Sequence, residues 1–367
     1  MKKFSRKYSL DYILECLESL KDLKALVVGE AIIDEYQFGS TIGKSAKEPI
    51  IALQYIKKEL YPGGSLAVAN HLAGFCKEVG LFAMLGEKDS QERFIRRNLK
   101  KNIKPMFFYK KDSPTIVKRR FLEDVTFRKL LEFYVIDESE LSKEQTDQQI
   151  KKLKPLLSKY DLVVCSDFGH GMLNQKSRDL LTKKAKFLSV NTQANAGNFG
   201  YHTISFYPKA DFLCLDEREI RLECKTKDGE LEEVAKSIFE KVRSNYMIVT
   251  HGPNGSIGYK NKKSHTAFLE FPSLARHESK LSRGLTRKYK SQIEVCKVPS
   301  FAIKDIDKVG AGDAFFAISS PLIYNKVPLE LVCFIGNAVG ALAIDIIGNK
   351  ESITKKDLVS FIENILT

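Results

Sequence analysis

Short apolar runs alternate with helical patterns along this chain of 367 residues, and that alternation constrains the fold more than any other feature. Six runs have the character of strands buried on both faces of a sheet, and they lie at residues 25–29, 81–85, 162–166, 187–190, 212–215 and 246–250. Strands separated by helices predict an α/β fold, in which helices flank a central, mostly parallel sheet.

Three regions depart from this alternation. Residues 1–23 predict an amphipathic helical extension, which precedes a main domain at 24–367. Residues 36–59 and 105–137 contain extended segments of mixed polarity, which predict a small β-sheet lid over an active site, with an ordinary extension of the main sheet as the alternative. Residues 272–294 are polar and rich in Ser, Arg and Lys, so we interpret them as a surface insertion, with a nucleic-acid arm as the alternative.

Charge and cysteine content narrow the class of protein. The net charge is +13, but the Lys and Arg residues are spread along the chain, so we expect a solvated basic surface that helps to collect anionic substrates and no nucleic-acid or membrane partner. The seven cysteines show no C-x-x-C spacing, which predicts free thiols in a reducing compartment, and the first eleven residues lack a signal-peptide pattern. A cytoplasmic protein is the expectation.

The tetrapeptide Gly310-Ala311-Gly312-Asp313 carries the strongest chemical signal. Its glycines permit a tight turn, and the apolar run from Ala314 predicts a helix that starts there. The free N–H groups and positive dipole end of a helix start bind anions. Because Asp313 adds a carboxylate at the same place, the pattern favours phosphoryl transfer, with the acid as the base that activates the acceptor.

Further candidate residues follow the predicted strands or precede a helix. Asp34 comes after the first strand, where a ligand would meet it in a parallel sheet, although a turn aspartate would give the same pattern. Gly63 and Gly64 precede a helix and would let a ligand approach the backbone, or they form a plain turn. Asp216 and Glu219 are one helical turn apart, so they could share Mg²⁺ through water or simply begin a helix.

A glycine-rich turn follows the strand at 246–250, with Thr250, Gly252 and Gly255 as candidates for contact with a nucleotide phosphate. A turn without a ligand is the alternative. The chain has neither a G-x-x-x-x-G-K-[ST] loop nor the protein-kinase motifs, so phosphoryl transfer would have to use another scaffold.

Taken together and in this order, the motifs resemble those of the ribokinase (PfkB-type) carbohydrate kinases over about residues 24–366. Within that family the chain is similar to the heptose-7-phosphate kinase domain of ADP-heptose synthases, through residues 27–39, 48–50, 62–64 and 166–171. The resemblance implies a ribokinase-like fold with a β-sheet lid, ATP and Mg²⁺ as cofactors, and a sugar or sugar phosphate as the acceptor. It also implies a homodimer through the lid and a separate nucleotidyltransferase as a partner.

The resemblance assigns roles residue by residue. Asp313 would be the base, and the N–H groups of Gly310, Ala311 and Gly312 would hold the γ-phosphoryl charge. The residues implied for the acceptor are Asp34, Lys44, Gly63, Gly64, Asn70 and His170. The residues implied for the nucleotide are Asp216, Glu219, Thr250, Gly252, Gly255, Asp307 and Asn337, with Asp216 and Glu219 also organising Mg²⁺.

Several positions depart from the family pattern. Ala67 stands where this subgroup carries an Asn sugar ligand, and Asn70 lies one helical turn further on as its candidate replacement. His170 replaces a Lys, and residues 191–195 replace an Asp-Pro-Lys segment. These changes predict that the phosphotransfer machinery is kept while the acceptor pocket is altered. Two alternatives therefore stay open: a kinase of a non-sugar alcohol such as a nucleoside or vitamin, and a nucleotide-binding module without turnover.

Overall fold

The computed structural model of the chain describes residues 2–262, 293–302 and 307–366. The surface insertion predicted at 272–294 lies outside these residues, except for its last two, which begin a strand. The helices are α1 (Lys2–Lys7), α2 (Leu10–Glu18), α3 (Ser65–Leu72), α4 (Glu92–Arg97), α5 (Lys143–Leu153), α6 (Gln175–Lys184), α7 (Glu217–Glu223), α8 (Leu231–Lys241), α9 (Ala311–Tyr324), α10 (Leu329–Ala343) and α11 (Lys355–Leu366).

Strands account for most of the remaining regular structure. They are β1 (Lys24–Lys44), β2 (Ile51–Gly64), β3 (Glu78–Lys88), β4 (Ile103–Pro114), β5 (Ile116–Glu123), β6 (Lys129–Val135), β7 (Leu162–Asp167), β8 (Leu188–Thr192), β9 (Lys209–Asp216), β10 (Arg243–Thr250), β11 (Ser256–Asn261) and β12 (Ile293–Val298). Each of the six predicted strands lies within or overlaps one of these, so those predictions are confirmed.

The main sheet has the strand order β12-β11-β10-β9-β8-β7-β1-β3-β4. Its pairs are parallel except β10–β11 and β11–β12, which are antiparallel. Strand β1 pairs with β3 on one side and β7 on the other. The strand order therefore reverses at β1: β3 and β4 are added on one side of it, and β7 and the later strands on the other. In α/β sheets, ligands bind at such a switch point, in the crevice beyond the carboxyl ends of the strands.

Successive side chains of each strand point to opposite faces of the main sheet, so a hydrophobic core forms between each face and its layer of helices. Ala25 and Val27 of β1 join one core with α2, α3, α9, α10 and α11, whereas Leu26 and Val28 join the other with α5, α6, α7 and α8. The layered α/β class predicted from sequence is therefore confirmed. None of the described helices is both long enough and apolar enough to cross a bilayer.

Strand β1 runs on past the main sheet and enters a second sheet, the lid. From Ala31 outwards it pairs antiparallel with β2, and from Ile32 outwards it pairs parallel with β5, which in turn pairs with β6. The predicted lid boundary at 105 is wrong, because β4 pairs with β3 in the main sheet and the lid resumes only with β5. Residues 36–59 do lie in the lid, whose first hairpin extends to Gly64.

The N-terminal extension is helical, as predicted, but it is interrupted. Ser9 separates α1 from α2, and its hydroxyl accepts a hydrogen bond from the Tyr12 backbone N–H, which caps α2. Phe4 of α1 stacks on Phe334 of α10 with ring centroids 4.3 Å apart. The extension therefore packs as part of the main domain's helical layer.

Candidate active site

The tetrapeptide at 310–313 forms the start of helix α9. Gly310 is the N-cap residue with φ +85°, and a Cβ there would lie 2.1 Å from Asn349 Oδ1, so both backbone and space require glycine. Gly312 differs, because a Cβ on it would meet nothing within 4 Å. The first turn of α9 is therefore open where the sequence predicts an anion site.

Two cavities meet at this helix start. The larger has a volume of about 1350 Å³ and the smaller about 270 Å³. Residues that line both are Asp216, Thr250, Lys308 and Gly312. The larger cavity also brings together four residues predicted for the nucleotide and the anion site, namely Gly252, Gly255, Ala311 and Asn337. The smaller brings together Asp34, Gly64, Glu219, Gly310 and Asp313.

Asp313 lies in the first turn of α9 and lines the smaller cavity, next to Gly312, which lines both. Its side chain is buried, and its Oδ1 accepts a hydrogen bond of 2.6 Å from Gln193 Nε2. Burial, together with repulsion from the Asp34 carboxylate, raises the pKa of Asp313 to about 7, against the opposing influence of Gln193 and Lys118. An acid with this pKa is well placed to accept a proton near neutral pH.

Asp34 lies just beyond the main-sheet part of β1, as the sequence predicts. It forms a buried ion pair with Arg120, and Asn349 Nδ2 lies 3.4 Å from its Oδ2. Arg120 also pairs with Glu132 at 2.8 Å, so lid strands β5 and β6 are both linked to Asp34. A Cβ on Gly63 would lie 2.1 Å from Asp34 Oδ2, so this glycine makes room for the carboxylate.

Sequence reasoning missed three side chains of the smaller cavity: Lys118, Arg120 and Gln193. Lys118 Nζ lies 5.5 Å from the Phe168 ring centroid and 5.4 Å from that of Tyr134, and burial lowers the pKa of this lysine. Within the described residues its ammonium group forms no hydrogen bond or ion pair. Lys118 and Arg120 are two residues apart on β5, so their side chains lie on the same face of the strand. This spacing was the signal in the sequence that could have identified them together.

Asp216 and Glu219 form a capping box at the start of α7. Asp216 Oδ1 accepts from the Glu219 N–H at 2.7 Å, and Glu219 Oε2 accepts from the Asp216 N–H at 2.8 Å. Burial raises the pKa of both acids. The Asp216 carboxylate raises the pKa of Glu219 further, and the Glu217 carboxylate does the same for Asp216. Helix capping therefore explains part of the motif, and the magnesium role stays a prediction.

The same acid pair is compatible with a divalent cation held through water. A cation between the cavities would offset the repulsion between these two neighbouring carboxylates. The described part of the chain contains no group of three His, Cys, Asp or Glu side chains close enough together to hold a metal.

Four residues predicted for the acceptor line neither cavity: Gly63, which makes room for Asp34, and three with polar side chains. Both amide atoms of Asn70 bond the main chain, through Asn98 O at 2.9 Å and the Lys100 N–H at 3.1 Å, so the fold itself uses this side chain. His170 is fully buried, with Nδ1 3.2 Å from Glu138 Oε1. Lys44 is exposed at the outer end of β1. These placements correct the expectation that the three side chains reach the acceptor pocket.

Asp307, predicted to bind the nucleotide, lines neither cavity either. Its carboxylate accepts hydrogen bonds from Tyr36 Oη and Lys129 Nζ, both at 2.6 Å, and from the Gly348 N–H at 2.9 Å. Tyr36 belongs to β1 and Lys129 to β6, both in the lid. The correction is therefore that Asp307 anchors the lid to the loop that precedes α9.

A helix start open to two cavities, with a buried acid beside it, defines a phosphotransferase. The chain belongs to the pfkB family of carbohydrate kinases, whose family model matches residues 22–274.

Curated relatives agree with this assignment. The chain is 23% identical over 333 residues to the bifunctional protein HldE of Shewanella sp. strain ANA-3, and 21% identical over 350 residues to that of Shewanella amazonensis. These matches cover 90% and 95% of the chain but 62% and 65% of the relatives. The chain thus spans less than two thirds of the length of the curated relatives it matches.

Solved structures show the same fold at low sequence identity. Phosphofructokinase-2 from Escherichia coli in complex with potassium aligns with a TM-score of 0.68 and 13% identity, covering 94% of this chain and all of that one. Ribokinase from Thermotoga maritima aligns with a TM-score of 0.64 and 18% identity, covering 93% and 100%. Arabidopsis thaliana ribokinase complexed with ribose and ATP gives 0.63 and 14%, covering 93% and 99%. The ribokinase-like fold predicted from sequence is confirmed.

Proposed function

We propose that this chain transfers the γ-phosphoryl group of ATP to a hydroxyl of a sugar or sugar phosphate, with Asp313 as the base. One observation carries the proposal: Asp313 is buried beside the helix start at which the two cavities meet. A phosphoryl group entering from the larger cavity would there meet a hydroxyl bound in the smaller one. Positioning of this kind, with charge stabilisation, supplies most of the catalysis in phosphoryl transfer.

The residues divide the chemistry between them. Asp313 takes the proton from the acceptor hydroxyl, which becomes the nucleophile. The open first turn of α9, at Ala311 and Gly312, receives the charge that spreads over the migrating group. Lys308 lines both cavities and adds positive charge at the crossing point. The lid strands close the acceptor side and keep water away from the reacting atoms.

Asp216 and Glu219 would hold Mg²⁺ through water at the junction of the cavities. When bound, the ion would neutralise phosphate charge and orient the nucleotide. Thr250, Gly252, Gly255 and Asn337 would line the nucleotide site in the larger cavity.

For the acceptor, we propose a sugar phosphate similar to heptose 7-phosphate. Three cationic side chains line the smaller cavity, namely Lys118, Arg120 and Lys308, and Arg120 is already paired with acids of the protein. Lys118 is thus suited to an anionic substituent of the acceptor. The resemblance of residues 27–39, 48–50, 62–64 and 166–171 to heptose-7-phosphate kinases points in the same direction, and the proposal concerns phosphoryl transfer only.

The test measures ADP release from ATP and Mg²⁺ with heptose 7-phosphate as the acceptor. Release should require the acceptor and the metal, and it should fall by roughly 10²–10⁴-fold in Asp313→Ala. Calorimetric binding of ATP to that variant is the folding control. An unchanged rate in Asp313→Ala would remove the base assignment.

A panel of acceptors separates the alternatives. Turnover with ribose, a nucleoside or a vitamin alcohol, but not with any sugar phosphate, would point to another acceptor class. ATP binding without turnover on the whole panel would favour a nucleotide-binding module.

A homodimer through the lid is also part of the proposal. Five large apolar side chains of the lid strands are more than half exposed: Ile42, Ile51, Tyr55, Leu131 and Phe133. Apolar groups clustered in one small sheet are typical of a protein interface. Sedimentation of Tyr55→Glu against the wild type tests this, because a charge in the interface should produce monomers.

A further inference from the structure

We propose that Gln193 is a positioning residue for Asp313, holding one carboxylate oxygen so that the other faces the acceptor hydroxyl. This inference rests on the proposed role of Asp313 as the base. The Gln193 amide donates to Asp313 Oδ1 at 2.6 Å, and both residues line the smaller cavity. No hydrogen bond to Oδ2 is found within the described residues, which leaves that oxygen for the acceptor proton.

The main chain around Gln193 is fixed on both sides. Its N–H donates to Asp167 O at 3.0 Å, and its carbonyl accepts from Asn198 Nδ2 at 2.9 Å. The next N–H, that of Ala194, donates to Glu219 Oε1 at 3.1 Å. Because these bonds hold the backbone at Gln193, the side-chain amide reaches Asp313 from a rigid segment of main chain. Little conformational freedom is therefore lost at each turnover.

The donor's chemistry suits this role. An amide N–H stabilises the ionised form of a carboxylate, so Gln193 opposes the burial that keeps Asp313 protonated. It does so without a full charge, and therefore leaves the acid basic enough to take a proton. The other titratable or charged groups that face Asp313 are Asp34 from β1, Lys118 from β5, Glu219 from α7 and Cys214 from β9.

The first measurement is a direct titration of the Asp313 carboxyl by ¹³C NMR, with Asp313→Asn identifying the signal. Gln193→Met keeps the length of the side chain and removes the donor, so the pKa of Asp313 should rise by about one unit. Gln193→Lys places a cation at the same position and should lower that pKa. Gln148→Met, on the exposed side of α5, is the matched control. An unchanged pKa in both Gln193 variants would overturn the inference.

The second measurement is the pH dependence of kcat/KM with ATP, Mg²⁺ and heptose 7-phosphate. In Gln193→Met the acid limb should move to higher pH, and the plateau should fall about tenfold because the free oxygen is no longer oriented. A role confined to folding would lower activity equally at every pH and would contradict the inference.

The two readouts separate this inference from the proposed function. If the pKa of Asp313 shifts as described while no acceptor is phosphorylated, the Gln193 contact stands and the kinase proposal fails. If Asp313→Asn turns over at the wild-type rate, Asp313 is not the base, and the positioning role of Gln193 is then wrong as well.

Discussion

The two cavities are built in different ways. The larger one includes two local structures, the turn at 250–255 and the start of α9, which meet residues of α7 and α10. The smaller one uses charged and polar side chains from β1, β5, the end of β8 and α9, which only the fold brings together. Part of the larger cavity can therefore be recognised from local turns in the sequence, whereas the smaller one depends on side chains that are distant in sequence.

Their electrostatics differ as well. In the smaller cavity, Asp34 and Asp313 face Lys118 and Arg120, so each charge affects the protonation of its neighbours. Substitutions there should alter pKa values as well as binding. Substitutions in the larger cavity should mainly alter nucleotide affinity.

Among the variants that compare the two cavities, the largest effect is expected from Gly312→Ala, at the point shared by both. Beyond its own helix, its methyl group would meet no atom within 4 Å, so the melting temperature should not fall. The methyl would instead occupy the space for the migrating group, and kcat should fall by roughly 10²–10³-fold.

Gly310→Ala is the matched comparison for that prediction. It places a side chain at φ +85° and against Asn349, so it should lower the free energy of unfolding by about 1–2 kcal/mol or more. Full activity in Gly312→Ala would show that the helix start does not bind the phosphoryl group.

The second effect is on stability and concerns Asp313→Asn. In the native state the pKa of Asp313 is raised to about 7 from 3.8, so the unfolded chain ionises first as the pH rises. The wild type should therefore lose stability between pH 4 and 7, relative to the variant. Above pH 7, Asp313→Asn should be the more stable by about 2–4 kcal/mol, measured by urea unfolding.

A control for that experiment is Asp345→Asn, which removes an exposed carboxylate close to the same cavities. Equal stability of Asp313→Asn and the wild type at pH 8 would mean that Asp313 is solvated.

The contrast between the cavities also explains what the sequence could predict. The six main-sheet strands were predictable because strands buried on both faces are continuously apolar. The start of α9 was predictable because Gly310 must adopt a positive φ, which is a local requirement. The lid boundary was not, because the pairing of β1 with β5 joins residues about 80 positions apart, such as Ile32 with Ile116.

Side-chain direction was the other limit. Asn70 lies in the helix that follows Gly63 and Gly64, and His170 follows strand β7, but packing turns Asn70 towards the main chain at 98–100 and buries His170 against Glu138. Gln193 reaches Asp313 across 120 residues, and no periodicity in the sequence predicts such a contact. Asp307 lies in the segment that leads to the tetrapeptide, but its carboxylate bonds Tyr36 and Lys129 of the lid and the Gly348 N–H, and it does not line the larger cavity.

A pair of variants can separate the two cavities kinetically. Lys118→Met should raise the KM for a phosphorylated acceptor about tenfold and leave the KM for ATP nearly unchanged. Asn337→Ala should do the reverse, because Asn337 Nδ2 bonds the carbonyls of Val298 and Pro299 at 3.0 and 2.9 Å in the wall of the larger cavity. If Lys118→Met changed both constants equally, the smaller cavity would not be the acceptor site.

The smallest effect is expected from Lys129→Met, because Asp307 belongs to neither cavity but joins the lid to the loop before α9. Lys129 is one-third exposed, so loss of its ion pair with Asp307 should cost less than about 1 kcal/mol of stability. Tyr36 would still hold Asp307, and kcat/KM should fall only a few-fold, for both substrates alike. Removing both lid contacts in a Lys129→Met, Tyr36→Phe double variant should exceed the sum of the single effects, since the two groups share one carboxylate. If the effects of the two substitutions on ADP release were strictly additive, the lid would be linked to the helix start at 310–313 by contacts other than those of Asp307.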